Sequence, residues 1–227
     1  MTKPQRSYAH FCAIALALDQ IGERWALLVV RELLSGPRRF VDLLEGMPGV
    51  ATNTLSTRLE ELEGAGLIAK RQLPPPAASV VYELTLRGRD LEPVLIALVR
   101  FGHKSIQAAR ATPARAAELA PVRANWLAVS LRAYFVPPTP ALTGRVQLEL
   151  PTGTIGIALD DNALTVTHAA LEDPDATLTT SENGLLGLLT GAVKVGPAKR
   201  QKLATVEGDA DLLERVLASF PLRAPTP

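Results

Sequence analysis

Between Cys12 and Gly102 the apolar residues follow a helical period, lose it at glycine or proline, and resume it. That alternation constrains the fold more than any other feature. Ile14, Leu18 and Ile21 recur at helical spacing until Gly22 breaks the pattern, and Trp25, Leu28, Val29, Leu33 and Leu34 then begin a second stripe. Ser35-Gly36-Pro37 stops the second stripe, Phe40, Leu43 and Leu44 mark a short third, and Met47-Pro48-Gly49 forms the next turn. From Thr52 the pattern is helical again up to Gly64 and Gly66, where glycine can take the left-handed conformation that closes a helix.

After Gly66 the period changes. LIAKRQL and SVVYELT are rich in β-branched and aliphatic residues and flank Pro74-Pro75-Pro76, which predicts a hairpin. Arg87 to Arg110 then reads as one long helix with Leu91, Leu95, Leu98 and Phe101 along one side and Pro93 near its first turn. That stripe suits either a partner's copy or a second domain of the same chain. Helix, turn, helix, hairpin and closing helix in this order make a winged helix-turn-helix.

A chain of 227 residues, 47% of them hydrophobic, has room for two ordinary domains. The expected division is residues 1–110, a linker in the Ala- and Pro-rich segment 111–121, and a second domain over 122–222. In that domain Asn125 to Phe135 reads as an amphipathic helix ended by Pro137-Pro138. Val146, Leu148 and Leu150, then Ile155, Ile157 and Leu159, then Leu164 and Val166 alternate between turns at Pro151-Thr152-Gly153 and Asp160-Asp161-Asn162, which predicts an antiparallel meander. A strand over Ala176 to Thr180 leads to a helix capped by Ser181 and ended at Gly191. A strand over Leu203 to Glu207 leads to a helix capped by Asp209. The second domain is therefore α+β, built on an antiparallel sheet.

The net charge is +1, with 14 Lys/Arg against 11 Asp/Glu up to residue 110 and 10 against 12 beyond it. A mildly basic front half predicts moderate, salt-dependent affinity for nucleic acid rather than a histone-like grip. Cys12 is the only cysteine, and His10, His103 and His168 lie far apart, so the pattern holds no disulfide, metal site or cofactor and fits a reducing cytoplasm. The N-terminal apolar stretch is closed early by Asp19, which argues against export or membrane insertion. Catalysis is not expected: no histidine neighbours a candidate nucleophile, no glycine loop cradles phosphate, and Asp160-Asp161 and Asp173–Asp175 fall in turns.

With Leu55, Leu59 and Leu62 at the centre of the buried face, a rotation of about 100° per residue puts Asn53 and Thr57 nearly opposite, flanked by Thr54 and Ser56. Short hydroxyl and amide side chains let a helix approach base edges, and Asn can pair bidentately with adenine, so these four are the candidate base readers. Glu60, Glu61 and Glu63 would repel phosphate, which confines docking to the first two turns. Thr52, Arg38, Arg39, Lys70 and Arg71 are the candidate backbone contacts, with charge pairing on a solvated surface as the alternative. Arg58, at the edge of the apolar face, reaches either a phosphate or Glu61 one turn on. The hairpin tip from Pro74 to Ser79 carries no cation.

Nearly all of residues 8–105 resembles the HxlR-type winged-helix transcription regulators of bacteria, through Ile21-Gly22, Trp25, Arg31-Glu32-Leu33, Arg39-Phe40, Leu43, Gly49, Leu55, Arg58-Leu59, Leu62, Gly66-Leu67, Tyr82-Glu83-Leu84-Thr85 and Gly88. The resemblance implies a homodimer joined through terminal helices on a roughly palindromic double-stranded operator. It also implies, for some members, an oxidant- or electrophile-sensing cysteine near the first helix followed by proline. Cys12 stands there with Ala13 in place of the proline, and a buried, inert thiol is the competing expectation. The segments from Asp175 and from Ala204 resemble the sterol carrier protein fold, which implies an apolar or lipid effector. Trp126, Leu185, Leu186, Leu188 and Leu189 are its candidate lining, against the plainer reading of those leucines as core. The leading reading is a dimeric DNA-binding regulator with an apolar effector; a redox regulator working through Cys12 and a lipid carrier remain open beside it.

Overall fold

The computed structural model describes residues 7–74, 78–110 and 120–222. Four helices come first: α1 (Ala13–Ile21), α2 (Ala26–Leu33), α3 (Phe40–Gly46) and α4 (Thr52–Gly64). They are followed by a hairpin of β1 (Ile68–Gln72) and β2 (Val80–Leu84), a single turn α5 (Leu86–Arg89), and α6 (Glu92–Arg110). The order read from the sequence is the order present. Its core is Val29, Val30 and Leu33 from α2, Leu43 from α3, and Leu55, Leu59 and Leu62 from α4, with Leu67, Ile68, Val81 and Leu84 closing the hairpin side.

Helix α4 stops because the chain turns left-handed at Gly66, φ +70°. The Gly66 N–H donates to the Glu63 carbonyl and the Leu67 N–H to the Leu62 carbonyl, both at 2.9 Å, which satisfies two carbonyls of the last turn and aims the chain into β1. The hairpin pairs Ile68 with Leu84 through to Gln72 with Val80, antiparallel. Arg38 adds a backbone bridge to Tyr82 (N–H to carbonyl 2.9 and 2.8 Å in the two directions), so the loop before α3 is pinned to the wing.

One expectation is corrected here. The helix expected over Arg87 to Arg110 is two helices, because Pro93 lacks an N–H and its ring would meet the carbonyl four residues back. The Leu91 N–H closes α5 on the Gly88 carbonyl at 3.2 Å, and α6 restarts at Glu92 with Pro93 in its first turn. The hairpin tip at 75–77 and all but the last two residues of the expected 111–121 linker lie outside the described residues.

The chain divides into two compact units at Leu95 and Ile96, inside α6. The second unit holds α7 (Ala124–Tyr134), β3 (Gly144–Leu150), β4 (Gly153–Asp160), β5 (Ala163–Thr167), β6 (Ala176–Thr180), α8 (Glu182–Leu189), α9 (Val195–Arg200), β7 (Ala204–Gly208) and α10 (Ala210–Ala218). Its sheet runs β5-β4-β3-β6-β7. β3, β4 and β5 form the expected meander, but β3 and β6 pair in parallel, so the sheet is mixed rather than antiparallel throughout. Alternation along β3 and β4 buries Val146, Leu148, Ile155 and Ile157 completely, and Leu213, Val216 and Phe220 from the C-terminal end cover them. Ser181 and Asp209 cap α8 and α10 by accepting from the Gly184 and Leu212 N–H groups. Helix α9 lies where the sequence reading placed no element; Pro197 sits in its first turn, where a missing N–H costs little.

Candidate nucleic-acid interface

Helix α4 presents two faces. Leu55, Leu59 and Leu62 are at most 2% exposed, whereas Asn53 and Thr57 are open and Thr54 and Ser56 half-buried beside them. The Thr57 hydroxyl donates to the Asn53 carbonyl at 3.0 Å, which spends its proton on the helix and leaves oxygen lone pairs and a methyl facing out. Ala51, which precedes the helix, supplies no side-chain cap, so the first N–H groups of α4 are not covered by it.

The cations around this face fall into two groups. Arg39 holds Asp42 through a bidentate contact (Nη2 to Oδ1 2.7 Å, Nε to Oδ2 3.0 Å), and the same carboxylate accepts from the Arg39 N–H, closing the start of α3. The Arg39 guanidinium keeps the Asp42 carboxyl below the usual range. Arg71 is paired with Glu83 across the hairpin at 2.9 Å through both oxygens, and Glu83 is held low for the same reason. Arg58 is only 13% exposed and pairs with Glu61 on its own helix and with Glu23 at 3.8 Å, so of the two expected partners it takes the carboxylate. Arg38 and Lys70 make no ion pair among the described residues.

Beside this surface lies a buried carboxylate that sequence reasoning did not single out for its chemistry. Glu32 is 3% exposed and accepts from the Arg31 Nη2 at 2.7 Å; a side chain at Gly46 would begin 2.5 Å from its carboxylate. Glycine at 46 therefore keeps α3 clear of a buried charge, which must stay paired to remain there.

Residues 20–110 match the HxlR-like helix-turn-helix family model, and residues 139–220 match the SCP-2 sterol transfer family. An uncharacterized HTH-type transcriptional regulator of Synechocystis sp., sll1512, is 43% identical over 93 residues, which are 41% of this chain and 69% of that protein. The chain belongs to the HxlR-like helix-turn-helix family. A second relative, the HTH-type transcriptional regulator YodB of Bacillus subtilis, is 35% identical over 78 residues, 34% of this chain and 70% of its own. The solved structure of its reduced form is 29% identical with a TM-score of 0.38, over 42% of this chain and 94% of that one.

The other expected sites are placed as follows. The Cys12 thiol is exposed at the start of α1, not buried in its apolar side, and the backbone N–H groups of Ala15 and Ile14 pull its pKa below the ordinary thiol value. Of the leucines of α8, Leu185 and Leu186 are buried in the core of the SCP-2-type domain, and Trp126 on α7 is half-buried. Leu188 and Leu189 border an open cleft of about 480 Å³, shared with Val193 and Lys194 from the turn between α8 and α9 and with Glu214 and Leu217 from α10. Among the described residues no cluster of His, Cys, Asp and Glu could hold a metal ion, and no helix is long and apolar enough to cross a membrane.

Proposed function

We propose that this HxlR-like chain is a homodimeric, sequence-specific transcription regulator that reads double-stranded operator DNA in the cytoplasm and is not an enzyme. The observation that carries this reading is α4, which buries three leucines and opens Asn53, Thr54, Ser56 and Thr57 on its other side next to a hairpin wing. Asn53 is the base reader and the three hydroxyls adjust to it. Thr52, Arg38 and Lys70 are the backbone contacts open without rearrangement, whereas Arg39, Arg58 and Arg71 must first leave a carboxylate. The test is selection of bound sequences from a randomised duplex pool, then titration of Asn53→Ala on the winner. The expected result is a loss of about 1–3 kcal/mol of discrimination at one adenine. A protein that enriches no sequence would defeat the reading.

The dimer is supported by apolar faces that are exposed among the described residues. Phe11, Ile14 and Leu18 are exposed on one side of the first helical segment, and Val94, Leu98 and Phe101 on α6 at spacings of four and three. The effector is an apolar small molecule or lipid held by the SCP-2-type domain, and the cleft beside Leu188 and Leu189 is the opening that supports it. Native mass spectrometry of the purified protein tests both: twice the chain mass plus a retained small molecule is expected.

A second reading has its own observation. The exposed Cys12 thiol, activated by two backbone N–H groups, supports oxidant or electrophile sensing. Oxidant should weaken DNA binding of the native chain and leave Cys12→Ser unaffected; equal loss in both would end this reading.

A further inference from the structure

We infer that Arg24 is a phosphate contact held in place by the Trp25 ring at the entrance to the reading helix. The inference rests on the DNA-binding reading above and extends it to a residue that neither the apolar pattern nor the basic clusters of the sequence singled out.

Arg24 is exposed and forms no ion pair among the described residues. Its guanidinium carbon lies 5.3 Å from the centroid of the Trp25 ring, inside the range of about 6 Å at which a cation is drawn to an aromatic face. A stacked arginine keeps its N–H donors directed sideways and free, so the contact orients the group without neutralising it.

The pair is placed against α4 from two sides. Its neighbour Glu23 reaches Arg58 on the second turn of α4 at 3.8 Å. The Trp25 ring tip lies 4.0 Å from where a side chain at Gly49 would begin, two residues before the Ala51 that precedes α4. Trp25 itself sits in the left-handed region at φ +79°, a conformation that a bulky residue keeps only when its surroundings fix it. The ring is therefore a fixed shelf near the start of α4, and the charge held over it is the one assigned to a DNA backbone flanking that helix start. Arg39, Arg58 and Arg71 are all spoken for by carboxylates, so Arg24 joins Arg38 and Lys70 as a charge ready to displace counterions.

The test uses the full chain and a mixed-sequence DNA duplex of about three helical turns, because non-specific binding is set by phosphate contacts and needs no operator. The logarithm of the affinity is followed against the logarithm of salt concentration. Each lost phosphate contact reduces the slope by about 0.9, so Arg24→Gln should be shallower than the native chain by about 0.9 per protomer, and Arg24→Lys should keep the native slope. A merely structural role for Arg24 would not move this readout, since the slope counts displaced ions rather than stability. A native chain with a steep slope and an Arg24→Gln variant with the same slope would overturn the contact while leaving DNA reading intact, as would loss of slope in both variants. A native chain with no salt-dependent binding would remove the DNA reading and the contact with it.

Discussion

The seam between the reading helix and the wing depends on the absence of one side chain. Gly88 packs against the backbone at the end of α4, and a methyl group there would begin 2.0 Å from the Leu67 carbonyl oxygen and 3.1 Å from Leu84 Cδ2. Ordinary contact needs well over 3 Å, so Gly88→Ala must push the Leu67 carbonyl aside. That carbonyl accepts from the Thr85 N–H at 3.1 Å, whereas the Thr85 hydroxyl donates to the neighbouring Gly66 carbonyl at 2.8 Å. Losing that backbone hydrogen bond costs about 0.5–1.5 kcal/mol, and overpacking adds about 1–3 kcal/mol. Better helix propensity returns about 1 kcal/mol, for a net loss of about 0.5–3.5 kcal/mol. The two tryptophans allow this to be read locally, because Trp25 belongs to the first unit and Trp126 to the second. In a Trp126→Phe background, urea unfolding followed by Trp25 fluorescence should show the midpoint falling with little change in slope. A loss below about 0.5 kcal/mol, the scatter of an ordinary surface substitution, would refute the reasoning.

Three further outcomes follow from the geometry. Asp42 and Glu83 have folded pKa values below their unfolded ones, so the stability they contribute is present above about pH 4 and is lost as pH falls through the folded values; carboxyl NMR titration should show both titrating below free carboxylates, and Arg39→Gln should return Asp42 toward the ordinary range. Alkylation of Cys12 followed against pH should give a midpoint below that of a free thiol, and a midpoint at or above it would contradict the pull of the Ala15 and Ile14 N–H groups on the thiolate. Phe101→Glu, at a position 84% exposed, should halve the sedimenting mass of the proposed dimer with little change in the unfolding midpoint of a protomer.

Much of the first unit was legible because its signals are local. Leu55, Leu59 and Leu62 at helical spacing define the buried side of α4, and with it the exposure of Asn53 and Thr57. Gly66 marks the end of that helix for a reason that is visible in a single residue. What was hidden depends on partners far along the chain. No spacing tells that Arg71 meets Glu83 or that Arg58 meets Glu23, since those pairs exist only once the hairpin and the helices have docked. The leucines of α8 show the same limit: a helix of the sequence ENGLLGLL is apolar most of the way round, so periodicity could not tell that Leu185, Leu186 and Leu189 enter the core while Leu188 and Leu189 border the cleft. The parallel pairing of β3 with β6 was equally out of reach, because alternation marks a strand but not the direction of its neighbour.

The sheet order β5-β4-β3-β6-β7 also carries a schedule for synthesis. The hairpin of the first unit joins strands a few residues apart, and everything it packs on precedes Leu95, so it can settle while the rest of the chain is still being made at about 5–20 residues per second. The middle of the second sheet has to wait. β3 emerges early with one edge covered by β4 and the other bare until Ala176 to Thr180 arrives, and β6 is then exposed until β7 pairs with it. An unpaired apolar strand in the centre of a half-made sheet is a surface for wrong partners, so nascent chains halted between β5 and β6 are the ones expected to need a chaperone.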